Sequence, residues 1–133
     1  MSYLDRWIEG LLQHQSLNLK DPIRIDGVRD VHLGPRMEFA KFTAIVEPAR
    51  AFEVSFQLPQ SQLTSERQAF LDQAILGLLD VLMTGTVYPL RNIRVRVIET
   101  EFDPINSSAS AFRQAGRDAG RKLLDSLKDP RRS

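Results

Sequence analysis

The sequence predicts an α+β fold, a two-layer sandwich in which a mainly antiparallel sheet of about four strands carries two helices on one face. Two segments, 51–58 and 92–98, alternate between apolar and polar residues, as strands with one solvated face do. Two longer segments, after Thr64 and after Asn106, repeat apolar residues at helical spacing. The order of strands, helix, strand and helix favours two separate layers.

The chain has the composition of a single domain. Its 133 residues are 42% hydrophobic and 26% charged, which is enough to bury a core. Cysteine is absent, so disulfides and thiol catalysis are excluded. No apolar run approaches the roughly 20 residues that cross a bilayer, and Asp5 and Glu9 argue against a secretory signal. We expect a cytoplasmic protein without a membrane partner.

Three segments are expected: an amphipathic helix within residues 1–14, the domain at 15–128, and a frayed tail at 129–133. The apolar residues of the N-terminal helix fall on one stripe, and they are Tyr3, Leu4, Trp7, Ile8, Leu11 and Leu12. Two roles are open for this stripe. It covers the core of its own domain, or Tyr3, Leu4, Trp7, Ile8 and Leu11 dock a partner or a second copy of the chain.

The first half of the domain is predicted to consist of strands and turns. Residues 14–36 begin as a loop, and 23–33 are compatible with one irregular strand. Residues 37–46 alternate in character, and 52–58 alternate again after the turn at 47–50. This pattern predicts an antiparallel hairpin with one face in water.

A helix is predicted after Thr64. Residues 65–68, Ser-Glu-Arg-Gln, fit a capping box, and Gly85 stands where the chain would leave through a left-handed residue. The apolar stripe of this helix consists of Phe70, Leu71, Ala74, Ile75, Leu78 and Leu82.

One more strand and helix complete the domain. At positions 93–97 the apolar residues point one way, and Arg94 and Arg96 point the other. A loop at 101–104 follows. The last helix is predicted to begin near Ser107, with hydroxyl side chains at its cap and small residues that permit close approach to the sheet.

Several short motifs follow one another in the second half of the chain. They are Gly77-Leu78-Leu79-Asp80, Gly85, Tyr88-Pro89, Ile93-Arg94-Val95-Arg96-Val97, and Asn106-Ser107-Ser108 running on to Ala111-Phe112 and Ala115-Gly116. Their order resembles the fourth domain of elongation factor G, the arm of the translocase that reaches into the ribosomal decoding region. With Val46-Glu47-Pro48 and Phe52-Glu53-Val54, the resemblance covers residues 23–126. Asn106 replaces an aspartate of the family pattern.

The resemblance implies the fold called ribosomal protein S5 domain 2-like, whose left-handed crossover is an exception to the usual rule. It also implies a non-enzymatic module that binds the ribosome or structured RNA in translation. No G-x-x-x-x-G-K-[ST] phosphate loop occurs, so no nucleotide and no other cofactor is expected. The lack of a glycine-rich loop also speaks against an enzyme related to the kinases of this fold. His14 and His32 lack metal-ligand spacing, and no metal site is predicted.

Basic residues are concentrated toward the C-terminal end. Residues 1–90 carry 8 basic and 11 acidic groups, a net charge of −3, whereas residues 91–133 carry 10 basic and 6 acidic groups, a net charge of +4. This asymmetry favours an anionic partner at that end. Three arginines recur at i, i+4 and i+8 on the last helix, and guanidinium groups suit phosphate. The RNA-binding candidates are Arg94, Arg96, Arg113, Arg117 and Arg121.

The tip loop of the family corresponds here to Glu101, Phe102, Asp103 and Pro104. In the translocases this loop is longer and carries a histidine, whereas here it is acidic and has none. RNA would repel an acidic tip. The departure leaves an alternative function open, a protein-interaction or self-assembly module that keeps the fold without the RNA role and associates through the N-terminal helix.

Overall fold

The computed structural model describes residues 21–84 and 92–128, together with Leu19. The predicted N-terminal helix, Gly85, Tyr88-Pro89 and the tail at 129–133 lie outside these residues. The described strands and helices are β1 (Ile23–Leu33), β2 (Arg36–Pro48), β3 (Glu53–Phe56), α1 (Ser65–Thr84), β4 (Ile93–Glu101) and α2 (Ala109–Lys128), with a 3-10 turn at Gln60–Gln62 before α1.

The four strands form one mixed sheet in the order β1-β2-β4-β3. The pairs β1/β2 and β2/β4 are antiparallel, and β3 pairs with β4 in parallel. Two helices pack on this sheet. The predicted α+β fold and the mainly antiparallel sheet are therefore confirmed.

The predicted hairpin between 37–46 and 52–58 is wrong. Strand β4 lies between β2 and β3, so that Pro48 is paired with Ile93 on one side and Val54 with Val95 on the other. Alternation of apolar and polar residues shows that a strand has one wet face, but it does not show which strand is the neighbour.

The hairpin that the fold contains joins β1 and β2. Leu33 is paired with Arg36 across a tight turn in which Gly34 has a φ of 62°. The segment 23–33, predicted as one irregular strand, pairs with β2 over all its 11 residues. The alternation is hard to recognise because Gly27 and Arg29 occupy positions on the face that carries the apolar residues.

Strand β4 extends to Glu101, beyond the predicted end at residue 98 and into the predicted loop. Thr43 is paired with Glu99 and Ala44 with Val97, so Ile98 is an extra residue at a β-bulge. The bulge interrupts the alternation, which is why the sequence pattern ends there although the strand continues.

Buried side chains of one sheet face and of both helices form a single core. Alternate residues of β2 and β4 point into it, and the largest fully buried side chains are Phe42, Phe112, Leu71, Leu78, Leu82, Ile93, Leu123, Val46, Val95 and Val97. Leu19 also lies in this core, 8% exposed. The predicted separation of the apolar residues of β4 from its two arginines is confirmed, because Ile93, Val95 and Val97 are buried.

Glycines allow the helices to approach closely. A Cβ atom on Gly116 of α2 would overlap the carbonyl of Ala74 in α1, and one on Gly77 would overlap the carbonyl of Arg113. Gly27 of β1 lies in the same way against the carbonyl of Ala115. Helix α2 is therefore packed tightly against both α1 and β1.

This close approach brings two side chains of α2 to the outer edge of β1. Asp118 Oδ2 accepts a hydrogen bond from the backbone N–H of Val28 at 3.0 Å. Lys122 Nζ donates to the carbonyl of Asp26 at 2.9 Å and also lies 2.9 Å from Asp118 Oδ2. Two backbone groups of an edge strand are thus bonded to a helix.

Hydroxyl side chains cap both helices. Thr64 Oγ1 accepts from the N–H of Arg67 at 3.3 Å, so the cap of α1 is one residue earlier than the predicted box, and the Gln68 side chain donates to Asp72 instead. Ser108 Oγ accepts from the N–H of Ala111 at 3.0 Å at the start of α2, as predicted for the Ser107-Ser108 pair. In the described ranges, no helix is long and apolar enough to span a membrane.

Candidate nucleic-acid interface

The predicted arginine row follows α2 on the side that faces away from the sheet. Arg113 and Arg121 are exposed, whereas Arg117 between them is half-buried. Arg117 Nη2 lies 2.7 Å from Asp80 Oδ2 of α1. The buried Nε of Arg117 has no hydrogen-bond acceptor within the part of the chain that the structure describes. The ion pair holds the middle guanidinium, whereas the outer two form no ion pair with residues 21–84 or 92–128.

A cleft of about 330 Å³ lies between the C-terminal halves of the two helices. Its lining consists of Asp80, Val81, Thr84, Arg117, Arg121, Leu124 and Asp125. Two carboxylates in this lining offset its two guanidinium groups, so the interior of the cleft has no excess positive charge for an anion. Any phosphate contact is therefore expected along the outer rim, where Arg121 is exposed.

The sheet arginines are engaged by carboxylates. Arg94 Nε donates to Glu53 Oε2 at 2.8 Å, and Arg94 Nη1 lies 3.6 Å from Glu47 Oε1. The hydrogen bond from Arg94 to Glu53 and the charge of that carboxylate raise the pKa of Arg94 above its ordinary value. Since two glutamates already neutralise this guanidinium, a phosphate would have to displace them.

Arg96 is held in a similar way. Its Nε lies 2.9 Å from Glu47 Oε1, and its Nη1 donates to Gln57 Oε1 at 3.2 Å. The Nε–Glu47 contact is an ion pair without hydrogen-bond geometry, which leaves the buried Nε–H without an acceptor among the described residues. The polar side of β4 is therefore a charge-balanced surface.

The two arginine groups lie on different sides of the domain. The β4 residues between and beside the sheet arginines, Ile93, Val95 and Val97, are buried in the core that the helices cover. Arg94 and Arg96 consequently project from the opposite sheet face, as their alternation predicts. The five candidate arginines do not form one surface, and the helix row stands alone.

The predicted tip loop is folded back onto the body of the domain. The Phe102 ring lies 5.2 Å from the Phe112 ring and 6.3 Å from the Phe70 ring, measured between centroids. The Arg67 guanidinium lies 4.8 Å above the Phe102 ring. Phe102 is thus an anchor of the loop. Glu101, which belongs to β4, and Pro104 are the exposed members of the predicted set.

The carboxylate of Asp103 forms hydrogen bonds within its own loop. Asp103 Oδ1 accepts from the N–H of Ile105 at 2.9 Å and from the N–H of Asn106 at 3.1 Å. These hydrogen bonds stabilise the carboxylate and hold the pKa of Asp103 below its ordinary value. Ser107 Oγ joins the loop to β2 by donating to the carbonyl of Phe39 at 2.8 Å. The loop is therefore fixed in a compact turn.

The sequence pattern does not reveal the carboxylates that pair with the candidate arginines. The partners are Asp80 on α1, Glu47 on β2 and Glu53 on β3. Only the strand order shows that Glu47 and Glu53 flank β4, so the strand periodicity could not have revealed them. The proposed partner-binding residues Tyr3, Leu4, Trp7, Ile8 and Leu11 lie outside the described residues. In the part of the chain that the structure covers, no group of three or more metal-ligating side chains is found.

Comparisons with known proteins give structural similarity only. No protein-family model matches the sequence, and no curated protein matches it. A crystal structure of a protein from Thermus thermophilus superimposes with a TM-score of 0.67 at 18% identity, covering 78% of this chain and 16% of that one. The chain thus spans about a sixth of that protein.

A second solved structure is less similar. The 43K ATPase domain of Thermus thermophilus gyrase B, in complex with an aminocoumarin, gives a TM-score of 0.33 at 13% identity, covering 96% of this chain and 38% of that one. A score this low does not establish a common fold. At 18% identity, the first match places the chain with an α+β domain of known structure and gives it the fold alone.

Proposed function

We propose that this chain is a non-enzymatic module of translation that binds the ribosome or structured RNA, as its resemblance to the fourth domain of elongation factor G implies. The proposed fold is the ribosomal protein S5 domain 2-like fold. The order of three strands, helix, strand and helix supports it, as does the crossover through α1 between the neighbouring parallel strands β3 and β4. Fold similarity alone does not establish function. The proposal therefore depends on the charged side chains at the surface.

The observation that carries the proposal is the row of arginines on α2. Arg113, Arg117 and Arg121 span about 12 Å of helix. Among the described residues, no carboxylate oxygen lies within 4.0 Å of the Arg113 or Arg121 guanidinium. Asp80 already neutralises Arg117, so Arg113 and Arg121 are the expected phosphate contacts of this row. Such a row suits contacts to phosphates.

The expected mode of binding is recognition of the RNA backbone and shape. Sequence readout of single-stranded RNA requires exposed aromatic rings on which bases stack. Phe39 is half-buried, and Phe102 is packed against other aromatic rings. Contacts from guanidinium groups to phosphates position RNA without reading its sequence. Binding is therefore expected to depend strongly on salt and weakly on base sequence.

The test compares two double variants that remove the same charge from opposite sides of the domain. R113Q/R121Q is expected to weaken cosedimentation with ribosomes and binding to a structured RNA. It should also reduce the slope of log K against log salt by about 0.7 to 0.9 per lost phosphate contact. R94Q/R96Q is the matched control and should leave the slope unchanged, because both arginines are already neutralised. Equal binding by R113Q/R121Q and wild type at low and high salt would reject this use of the row.

A protein-interaction module is the second candidate function. The observation that favours it is apolar exposure on α1, where Leu76 is 46% exposed and Met83 is 40% exposed. The two residues are seven apart and lie on one side of α1, and contiguous apolar exposure marks sites of contact with other proteins. Copurification of a stoichiometric partner, lost in M83E and kept in R113Q/R121Q, would support this function over RNA binding.

A further inference from the structure

An ion pair between the two helices lies in the middle of the arginine row. Arg117 Nη2 of α2 donates to Asp80 Oδ2 of α1 at 2.7 Å. The Arg117 side chain is 32% exposed and that of Asp80 is 38% exposed, so solvent reaches both. Arg113 and Arg121 lie one helical turn to either side of Arg117, about 6 Å along the axis. A carboxylate is therefore placed within a row of guanidinium groups.

The contact uses only part of the hydrogen-bonding capacity of Arg117. A guanidinium has five N–H donors in a planar fork, and a carboxylate or a phosphate can accept from two of them at once. Here a single nitrogen donates to a single carboxylate oxygen. The buried Nε has no acceptor within residues 21–84 and 92–128. Asp80 thus neutralises the guanidinium without saturating its donors.

The two helices are held together by close backbone contacts beside this ion pair. Gly77, one turn before Asp80, lies against the carbonyl of Arg113, and Gly116 lies against the carbonyl of Ala74. These contacts fix the distance between α1 and α2. Ion pairs that are as exposed as this one contribute little to the stability of a fold. We therefore expect Asp80 to affect the charge of the surface more than it affects folding.

The ion pair also sets the charge of the cleft between the helices. The lining contains two guanidinium groups, those of Arg117 and Arg121, and two carboxylates, those of Asp80 and Asp125. Neutralising Asp80 alone leaves two guanidinium groups against one carboxylate. The cleft of about 330 Å³ would then carry an excess positive charge beside the exposed arginines.

We propose that the Asp80 carboxylate masks a third phosphate contact at Arg117 and so limits the affinity of the row for RNA. Its oxygen occupies the position at Arg117 Nη2 that an oxygen of a phosphate group would take. The inference rests on the proposed RNA function and adds to it a residue that weakens binding. While Asp80 is ionised, Arg113 and Arg121 contact phosphates. Once its charge is removed, Arg117 contacts a phosphate as well.

A double-mutant cycle in Asp80 and Arg117 tests the inference, with an RNA hairpin as the probe. D80N keeps an acceptor oxygen, removes the charge and should bind the hairpin more tightly. The slope of log K against log salt should become steeper by about 0.7 to 0.9. Over a roughly four-fold rise in salt, D80N should lose about three-fold more affinity than the wild type. R117Q alone should leave the slope unchanged, and D80N/R117Q should match R117Q.

D125N is the matched control, because Asp125 lines the same cleft but is not paired with Arg117. It removes the same charge and should leave the slope unchanged. A lower slope in R117Q alone would overturn the inference, since Arg117 would then contact RNA in the presence of Asp80. An equally steep slope in D80N and D80N/R117Q would also overturn it, because the change would then be an effect of net charge alone. Circular dichroism establishes that all variants are folded.

A second measurement does not require RNA. In the ¹⁵N-labelled protein, the Nε–H signal of Arg117 is identified by its loss in R117Q and is followed during titration with inorganic phosphate. A saturable shift is expected in D80N and not in the wild type. If this shift occurs although no variant binds the hairpin, the masked phosphate contact is supported and the RNA function is rejected. If the wild type binds the hairpin but D80N shows neither the phosphate shift nor a steeper slope, the inference is rejected and the RNA function stands.

Discussion

At the scale of single residues, the positions that matter most are those without a side chain. Gly77 and Gly116 face backbone carbonyls of the opposite helix, and Gly27 faces a carbonyl of α2 from the sheet. A carbonyl fixed in a helix cannot rotate away as a side chain can. These glycines therefore set the distances between α1, α2 and β1, and through them the position of the arginine row.

We expect G116A to be destabilising although alanine is the better helix former. The substitution gains about 1 kcal/mol of helix propensity, but overlap with the Ala74 carbonyl forces the helices apart. Overpacking of this kind typically costs about 1 to 3 kcal/mol, so a net loss of stability is expected. Denaturant unfolding measures it.

G120A on the same helix is the matched comparison for that measurement. A Cβ atom there would lie 2.9 Å from Val81 Cβ and 3.3 Å from the carbonyl oxygen of Leu78, a milder overlap than that between Gly116 and the Ala74 carbonyl. The propensity gain is the same, and the loss of stability should be smaller. A G116A variant as stable as G120A would show that the helices can separate at little cost.

At the scale of elements, the sequence predicts whether a segment is a helix or a strand better than it predicts where the segment ends or which strand it pairs with. Both helices and the apolar side of β4 are as predicted, because their apolar periodicity is strong. The sequence pattern does not predict the end of β4, because the alternation breaks at the bulge of Ile98. It also predicts the wrong hairpin, because alternation carries no information about pairing partners. The sequence feature at the actual hairpin is Gly34-Pro35, where Gly34 adopts a positive φ.

The start of α1 can be tested by two neighbouring substitutions. T64A should lower the free energy of unfolding by about 1 kcal/mol, because Thr64 Oγ1 accepts from the N–H of Arg67. S65A should change it by less than about 0.5 kcal/mol, since Ser65 is exposed and inside the helix. Denaturant unfolding of the two variants measures both effects. If S65A loses more stability than T64A, Ser65 is the capping residue, as the sequence pattern predicts.

At the scale of the whole molecule, the sequence predicts the layers of the fold and the side of the sheet on which each candidate arginine lies. It does not predict how those arginines are paired. Glu47 and Glu53 meet Arg94 only because β4 is inserted between their strands, and Asp80 meets Arg117 only because glycines bring the helices together. Ion pairs between elements depend on tertiary arrangement, which the charge pattern of one element cannot contain. The candidate interface is accordingly reduced from five arginines to the row on α2.

The hydrogen bonds between α2 and the outer edge of β1 also affect how the protein behaves at high concentration. An edge strand with unpaired backbone groups can pair with strands of other chains. The 11 residues of β1 would form a long edge of this kind. The side chains of Asp118 and Lys122 bond backbone groups of β1 that a strand of another chain would otherwise pair with. We expect D118A/K122A to form concentration-dependent aggregates detectable by light scattering, under conditions in which the wild type and R113Q/R121Q remain dispersed. If the folded double variant scatters no more light than the wild type, another part of the chain protects this edge of β1 from pairing.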